Sequence, residues 1–400
     1  MSTYKVLTGN YAVAYGVKLC KPQVIAAYPI TPQTSIVEKL SEFVEKGELK
    51  AKMLRVESEH SAMAAVIGAA IAGARTFTAT SSQGLLYMHE GVWMAAGARL
   101  PIVMAIVTRA IFPPWSIWTD HGDLLDQRDT GWMICMAEDN QEVIDMIIQA
   151  YKIAEDERVL LPIMVGLDAF ILSHTATPIE IPDEDLVDSY LPRPGETLSY
   201  LKISFDNPLT YYNLAFPDSY MEFRYQIHEA MNRAKRVIEE ADEKYHKLTG
   251  RKYGGLVDTY RCNDAEVVIV SMGASTGDTK EAADKLRDEG YKVGVLRLRF
   301  IRPFPEEKLK EILSNKKLVI VIDRAISLGK GGILYTEVAS VLHKNNGRTP
   351  IIRGYLTGLG GRDITVSDII KMVRKATSLF EKGELTHGWE WFKLRKEVVM

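Results

Sequence analysis

The sequence predicts an α/β protein of two units, each with a mostly parallel sheet. Three observations carry that expectation. Short apolar runs alternate with helical patterns from the start to roughly residue 172, and again from residue 265 to about 377. A stretch punctuated by Pro178, Pro182, Pro192 and Pro194, with acidic residues among them, separates the two alternations. The 400 residues, 46% hydrophobic and 25% charged, suit two or three globular domains with sizeable cores. A net charge of −3 gives no basic footprint for nucleic acid. The longest apolar runs are broken well short of a membrane span, and the opening residues lack the apolar core of a secretory signal. Cys20, Cys135 and Cys262 stand far apart, without zinc or iron–sulfur spacing. A reducing cytoplasm is the expected compartment.

The expected elements follow in order. A strand over 24–28 holds Val24, Ile25, Ala26 and Ala27 and stops at Pro29, because proline cannot donate to a ladder. Ile36, Val37, Leu40, Phe43 and Val44 then share one face of a helix over 34–46, ended by Gly47. Thr31 is its natural N-cap and Pro32 its natural first residue. Strands over 76–80, 102–107 and 161–167 and helices over 58–74, 87–96 and 140–155 complete the first unit. Between Ser61 and Ala74 almost every residue is apolar or small, which predicts burial on all sides, in a subunit interface, a cofactor chamber or a plain core. Residues 196–218 have no clear period. A long helix over 220–248 follows, with Ser219 as cap, Gly250 after its end and a charged second half that reads as a wet face.

The second unit alternates strands over 267–270, 293–298, 318–322 and 351–355 with helices over 279–289, 306–313 and 333–342. Its turn from Gly273 to Gly277 lacks the GxGxxG spacing of a dinucleotide site and reads as a plain strand-to-helix turn. Gly329, Gly331 and Gly332 form a loop open to a partner or a phosphate, and Gly358, Gly360 and Gly361 form another. Trp389, Trp391 and Phe392 make the tail amphipathic, suited to packing on a neighbour. The expected boundaries are 1–175, a linker and long helix over 176–262, 263–377, and a tail over 378–400.

Chemistry is expected where ligands collect in open α/β sheets, beyond the carboxyl ends of strands. The turn Tyr28-Pro29-Ile30-Thr31 presents backbone N–H groups and a hydroxyl at a helix start, a seat for a small anion or an ordinary capped helix. Glu57 and Glu59 open the apolar helix. A desolvated carboxyl there would have a raised pKa and could trade a proton, whereas the plainer role is to complement the helix dipole. Thr80 and Ser81, ahead of Ser82, Gln83 and Gly84, make a polar loop or a capped turn. Arg109, at the end of a strand, can bind a carboxylate bidentately or pair with Asp120, Asp123, Asp126 or Asp129. Phe112, Pro113, Pro114, Trp115 and Trp118 after it suit a pocket wall or a partner contact. His60, His89 and His121 have no metal-binding spacing, and no metal site is expected.

Several of these motifs, in the same order along nearly the whole chain, resemble the α subunit of 2-oxoacid:ferredoxin oxidoreductases. They are Tyr28-Pro29-Ile30-Thr31-Pro32, Val56-Glu57-Ser58-Glu59-His60, Thr76-Phe77-Thr78-Ala79-Thr80-Ser81, Arg128-Asp129-Thr130-Gly131-Trp132, Arg302-Pro303-Phe304-Pro305 and Gly358-Leu359-Gly360-Gly361-Arg362-Asp363. The resemblance implies a thiamine-diphosphate-binding domain of the pyrimidine type joined to a transketolase C-terminal-like domain. It implies oxidative decarboxylation of a 2-oxoacid with CoA, giving an acyl-CoA and reduced ferredoxin. By that resemblance Glu59 hydrogen-bonds N1′ of the aminopyrimidine, Thr31 and Arg109 hold the substrate carboxylate, and Tyr28, Pro29, Thr80 and Ser81 line the cofactor. Asp120, His121 and Asp123 take no role.

The family's GDG motif and its following asparagines are missing, as are cluster cysteines. Mg²⁺, the cofactor's diphosphate and the [4Fe–4S] clusters are therefore expected on a β type partner and on γ and δ type chains or their fusion, in a dimer of heterotetramers. The substrate is expected to be pyruvate or branched-chain 2-oxoisovalerate, the bulky loop after Arg109 leaning toward the latter. Thr31 argues against a second substrate carboxylate. A thiamine-dependent decarboxylase or synthase without electron transfer, and a non-catalytic assembly subunit, are the alternatives.

Overall fold

The computed structural model describes residues 3–194, 203–206, 208–343 and 349–398. The first half runs β1 (Thr3–Thr8), α1 (Gly9–Cys20), β2 (Val24–Ala27), α2 (Thr34–Glu45), β3 (Lys52–Arg55), α3 (Glu59–Ile71), β4 (Thr76–Thr80), α4 (Ser82–Tyr87), α5 (His89–Gly97), β5 (Val103–Thr108), α6 (Gly122–Asp126), β6 (Met133–Met136), α7 (Asn140–Ala154) and β7 (Ile163–Asp168). Next come β8 (Ala176–Ile181), α8 (Glu184–Tyr190) and the long α9 (Tyr220–Thr249). The second half runs β9 (Val257–Tyr260), β10 (Val267–Ser271), α10 (Ser275–Asp288), β11 (Val293–Leu298), β12 (Phe300–Arg302), α11 (Glu306–Leu313), β13 (Leu318–Asp323), β14 (Ile326–Ser327), β15 (Gly331–Gly332), α12 (Ile333–Leu342), β16 (Ile351–Leu356), α13 (Val366–Glu381) and β17 (Gly388–Trp391).

The larger sheet has the order β12-β6-β7-β5-β4-β2-β3, parallel throughout except for β12 at its edge. Its inner strands β4, β5, β6 and β7 are buried along their whole length, as parallel strands covered on both faces must be. The second sheet has the order β17-β16-β13-β10-β11-β9, with only β9 antiparallel. The two sheets are joined by buried charge. Arg297 of β11 and Arg299, just past its end, both reach Glu142 of α7, and all three side chains are out of solvent. Burial alone would raise the Glu142 pKa, but the two guanidinium groups outweigh it and hold the carboxyl below its ordinary value. No helix among the described residues is long and apolar enough to cross a membrane.

Several local expectations need correction. Thr31 does not cap α2. Residues 30–33 form a turn closed by the Gln33 N–H on the Ile30 carbonyl at 2.8 Å, with a cis Thr31–Pro32 bond, and α2 begins at Thr34. The Pro32 carbonyl, which a helix starting there would give to Ile36, instead accepts from the Asn10 amide at 2.7 Å. Within this chain helix α3 is not buried all round. Ala64, Gly68 and Ala72, one turn apart, form an exposed line of small residues, because the sheet covers only the opposite face. The helix expected over 87–96 is α5, and a further short helix, α4, precedes it across Met88. The glycine loop around Gly331 holds no anion seat, because the Asp323 carboxylate already occupies the start of α12, accepting from the N–H of Leu334 and Tyr335. The aromatic tail expected on a neighbour adds β17 to this chain's own sheet, parallel to β16. The charged half of α9 is wet on one face only: Ala234, Val237, Ile238, Ala241 and Tyr245 are buried. The aperiodic stretch 196–218 lies partly outside the described residues.

Candidate active site

Four neighbouring strands in the order β5-β4-β2-β3 end on the same edge of the sheet. Each delivers residues the sequence singles out. Tyr28, Pro29 and Thr31 follow β2, Glu59 follows β3, Thr80 and Ser81 end β4, and Arg109 follows β5.

The structure brings Thr31 and Arg109 together. Arg109 Nη1 donates to the Thr31 carbonyl at 2.6 Å, and Nη2 donates to Gln83 Oε1 at 2.9 Å. The Arg109 side chain is buried, and its Nε has no partner. Both of its hydrogen-bond partners are neutral oxygens. The expected alternative, a direct pair with Asp120, Asp123, Asp126 or Asp129, is not made. Burial lowers the Arg109 pKa, and the charge of nearby Asp123 only partly offsets this. A buried cation served by neutral acceptors is costly, by several kcal/mol when uncompensated. An anion placed against it recovers that cost. The ring of Trp115 covers the guanidinium at 5.8 Å, and Phe112 packs on Trp115 with centroids 4.5 Å apart. Tyr28 and Thr31 are exposed at this edge.

Glu59 and Glu57 part company. Glu57 is exposed and accepts from Ser61, which holds its pKa below the ordinary value. Glu59 is 7% exposed, and burial raises its pKa, opposed by its own backbone N–H. Thr80 lies beside it. A Cβ added to Gly84 would stand 2.4 Å from Thr80 Oγ1 and 2.5 Å from Glu59 Oε1, so only glycine leaves this carboxyl its space. Thr80 Oγ1 is buried without a partner. Ser81 is differently placed: its hydroxyl donates to the Val107 carbonyl at 2.7 Å and ties β4 to β5. A desolvated carboxyl beside an orphaned hydroxyl, both seated over a glycine, fit a planar ring with an N–H edge, as an aminopyrimidine has.

Sequence reasoning left two groups unassigned that the site uses. Gln83 braces Arg109. The Asp123 carboxylate, wholly buried, accepts three backbone N–H groups, and burial pushes its pKa up to about 7. Behind the site Asp168, at the end of β7, gathers Thr119, His121, Arg324 and the Ala274 N–H. Burial would raise its pKa, but His121 and Arg324 outweigh that and hold it well below the usual carboxylate range. The Gly358 loop presses here too: Gly361 donates to the Thr119 carbonyl at 2.8 Å, and its Cα lies so near Trp118 that a Cβ would stand 2.4 Å from that side chain's Cβ.

Comparison with known proteins gives the lineage. The family described as "Pyruvate flavodoxin/ferredoxin oxidoreductase, thiamine diP-bdg" matches residues 15–243, more than half of the chain. The chain belongs to this family. The family "Pyruvate:ferredoxin oxidoreductase core domain II" matches residues 265–369. The pyruvate synthase subunit PorA of Pyrococcus furiosus is 48% identical over 399 residues, covering 100% of each chain. The ketoisovalerate oxidoreductase subunit VorA of Pyrococcus abyssi is 49% identical over 392 residues, 98% of each chain. Both relatives are oxidoreductase subunits. Among solved structures, a 2-oxoglutarate:ferredoxin oxidoreductase from Magnetococcus marinus superposes with a TM-score of 0.71 at 19% identity. It covers 93% of this chain, which spans 65% of that one. A split-gene transketolase superposes with a TM-score of 0.53 at 16% identity, covering 92% of this chain and 98% of that one. At such identities these two speak for the fold alone, mixed α/β with parallel sheets.

Proposed function

We propose that this chain is the α subunit of a thiamine-diphosphate-dependent 2-oxoacid:ferredoxin oxidoreductase, acting on pyruvate or branched-chain 2-oxoisovalerate. The observation that carries this is the Arg109 guanidinium, a buried cation with only neutral hydrogen-bond partners, beside the exposed Thr31 and on the same sheet edge as the desolvated Glu59. Arg109 and the Thr31 hydroxyl hold the substrate carboxylate. Glu59 keeps a proton at N1′ of the aminopyrimidine, a role that needs a carboxyl poised above its ordinary pKa. Tyr28, Pro29 and Thr80 border the same ring. Phe112 and Trp115 shield the carboxylate from water and bound the acyl side chain. Thiamine diphosphate, when bound, supplies the electron sink that lets the C1–C2 bond of the oxoacid break. The balance is one 2-oxoacid and CoA to one acyl-CoA and CO₂, with two electrons passed to ferredoxin and one proton released.

Residues 1–175 are assigned to the pyrimidine half-site, 176–262 to the linker and long helix, 263–377 to the transketolase C-terminal-like unit, and 378–400 to the tail. Mg²⁺, the diphosphate and the [4Fe–4S] clusters are assigned to β, γ and δ type partners in a cytoplasmic dimer of heterotetramers, since the chain lacks the GDG motif and clustered cysteines. The test is acyl-CoA formation by the complex from a panel of 2-oxoacids, with ferredoxin or viologen as acceptor. CoA-dependent reduction of the acceptor with pyruvate or 2-oxoisovalerate is the expected result. Decarboxylation without acceptor reduction would reject the assignment.

A further inference from the structure

Asp123 is a wholly buried carboxylate of the site edge whose hydrogen bonds all come from backbone N–H groups. Its Oδ2 accepts the backbone N–H of Ser82 at 2.8 Å and of Arg109 at 3.0 Å, and its Oδ1 accepts the N–H of Leu124 at 2.8 Å. One oxygen thus bonds the ends of two neighbouring strands, β4 and β5, at the residues from which the clamp is built. The Ser82 end needs holding. Its φ is +48°, a left-handed conformation that an L side chain rarely adopts. From this turn Gln83 reaches Arg109 Nη2, while Ser82 Oγ stands 2.6 Å from both Gln83 Oε1 and the Ala110 carbonyl, one proton between two acceptors.

We propose that Asp123 is the positioning residue of the carboxylate clamp: by binding the N–H groups of Ser82 and Arg109 through one oxygen, it sets the spacing between Gln83 and Arg109 and hence the direction in which Arg109 presents its free donors to the substrate. The proposal rests on the reading of Arg109 given above. Asp123 touches neither substrate nor cofactor, and acts through two backbone groups. An asparagine of the same shape cannot replace it without loss. Whichever way its amide turns, the NH₂ faces either the Leu124 N–H or the paired N–H groups of Ser82 and Arg109.

The experiment compares wild type, Asp123→Asn and Arg109→Gln in the complex purified with its partner subunits. It measures kcat, the KM for the 2-oxoacid, the KM for CoA and the affinity for thiamine diphosphate. Asp123→Asn is expected to raise the oxoacid KM about tenfold, leaving the other three within about twofold, the pattern of lost substrate positioning. The wild type gives a second measurement that needs no variant. The charged groups facing Asp123 are Arg109, from the end of β5, and Asp120, from the loop before α6; His121 of that loop is engaged with Asp168. With the carboxyl titrating at about 7, the oxoacid KM should rise about tenfold as pH falls from about 8 to about 6, and Asp123→Asn should abolish this step. An unchanged KM in Asp123→Asn, or an equal fall in every parameter, overturns the proposal. If the variant does not assemble, a wild-type KM flat with pH overturns it and the predicted step supports it. Arg109→Gln separates the two readings. If it leaves the oxoacid KM unchanged, the clamp itself is wrong; if it alone raises that KM, only the role of Asp123 falls.

Discussion

At the scale of single residues, this site depends on what side chains are denied. Glu59 has its raised pKa because it is kept from water, and it has room because Gly84 has no side chain. Gly84→Ala should therefore behave much like Glu59→Gln. Both are expected to assemble normally and to lose about a hundredfold or more in kcat, the range typical of a displaced or missing acid–base group. Complex formation by size-exclusion chromatography and acyl-CoA formation check this, and near-normal turnover in Gly84→Ala would show that the cradle is not tight. Thr31, Glu59 and Arg109 stand out in the sequence because each is a chemically marked residue just after a strand, and the structure sets all three on one sheet edge. Gln83 and Asp123 do not stand out. Asp123 bonds to backbone N–H groups 14 and 41 positions away, which carry no sequence signature.

At the scale of elements, the buried strands β4, β5, β7, β10, β11, β13 and β16 announce themselves as apolar runs, and all were legible within a residue or two. The strands that escaped are short or half-wet. Lys52–Arg55 is an edge strand with charged ends, Thr3–Thr8 pairs only with Ala176–Ile181 in a ribbon outside both sheets, and Gly388–Trp391 looks like a loose aromatic tail. In the last case the signal lay in the partner. Gly331 has φ +128°, and a Cβ there would stand 2.3 Å from the Trp389 indole; one at Gly354 would stand 2.9 Å from Trp389 Cβ. These glycines leave a slot for the indole. Gly331→Ala should lower stability by about 2 kcal/mol through overpacking and an unfavourable φ, seen as a lower Tm by calorimetry. An unchanged Tm would mean that β17 docks without the slot.

At the scale of the whole molecule, buried acids of opposite sign of shift set how stability follows pH. Burial pushes Asp123 and Asp323 up to about 7 from an ordinary 3.8, so the folded chain binds these protons more readily than the unfolded chain. Their contribution to stability therefore falls as pH rises between those values. Asp168 works the other way: its contribution is present above the unfolded carboxylate range and is lost as pH falls through it. From these groups Tm should be highest at about pH 4, decline toward about pH 7 and level off above it, and Asp323→Asn should flatten that decline. A Tm climbing steadily to pH 8 would contradict this balance. The molecule is also stitched in a way the linear alternation of strands and helices conceals. Strand β12 follows β11 of the second sheet directly, yet it pairs with Cys135 and Ile134 of β6 at the rim of the first. During synthesis, the first sheet must wait for residue 302 to leave the ribosome before that rim is closed. Until then β6 presents an unpaired edge, open to pairing with another nascent chain. For the same reason the chain cannot be cut at its proline-rich linker into two self-sufficient halves: the amino-terminal piece would lack its own seventh strand, and the carboxyl-terminal piece would carry a strand that belongs to another sheet.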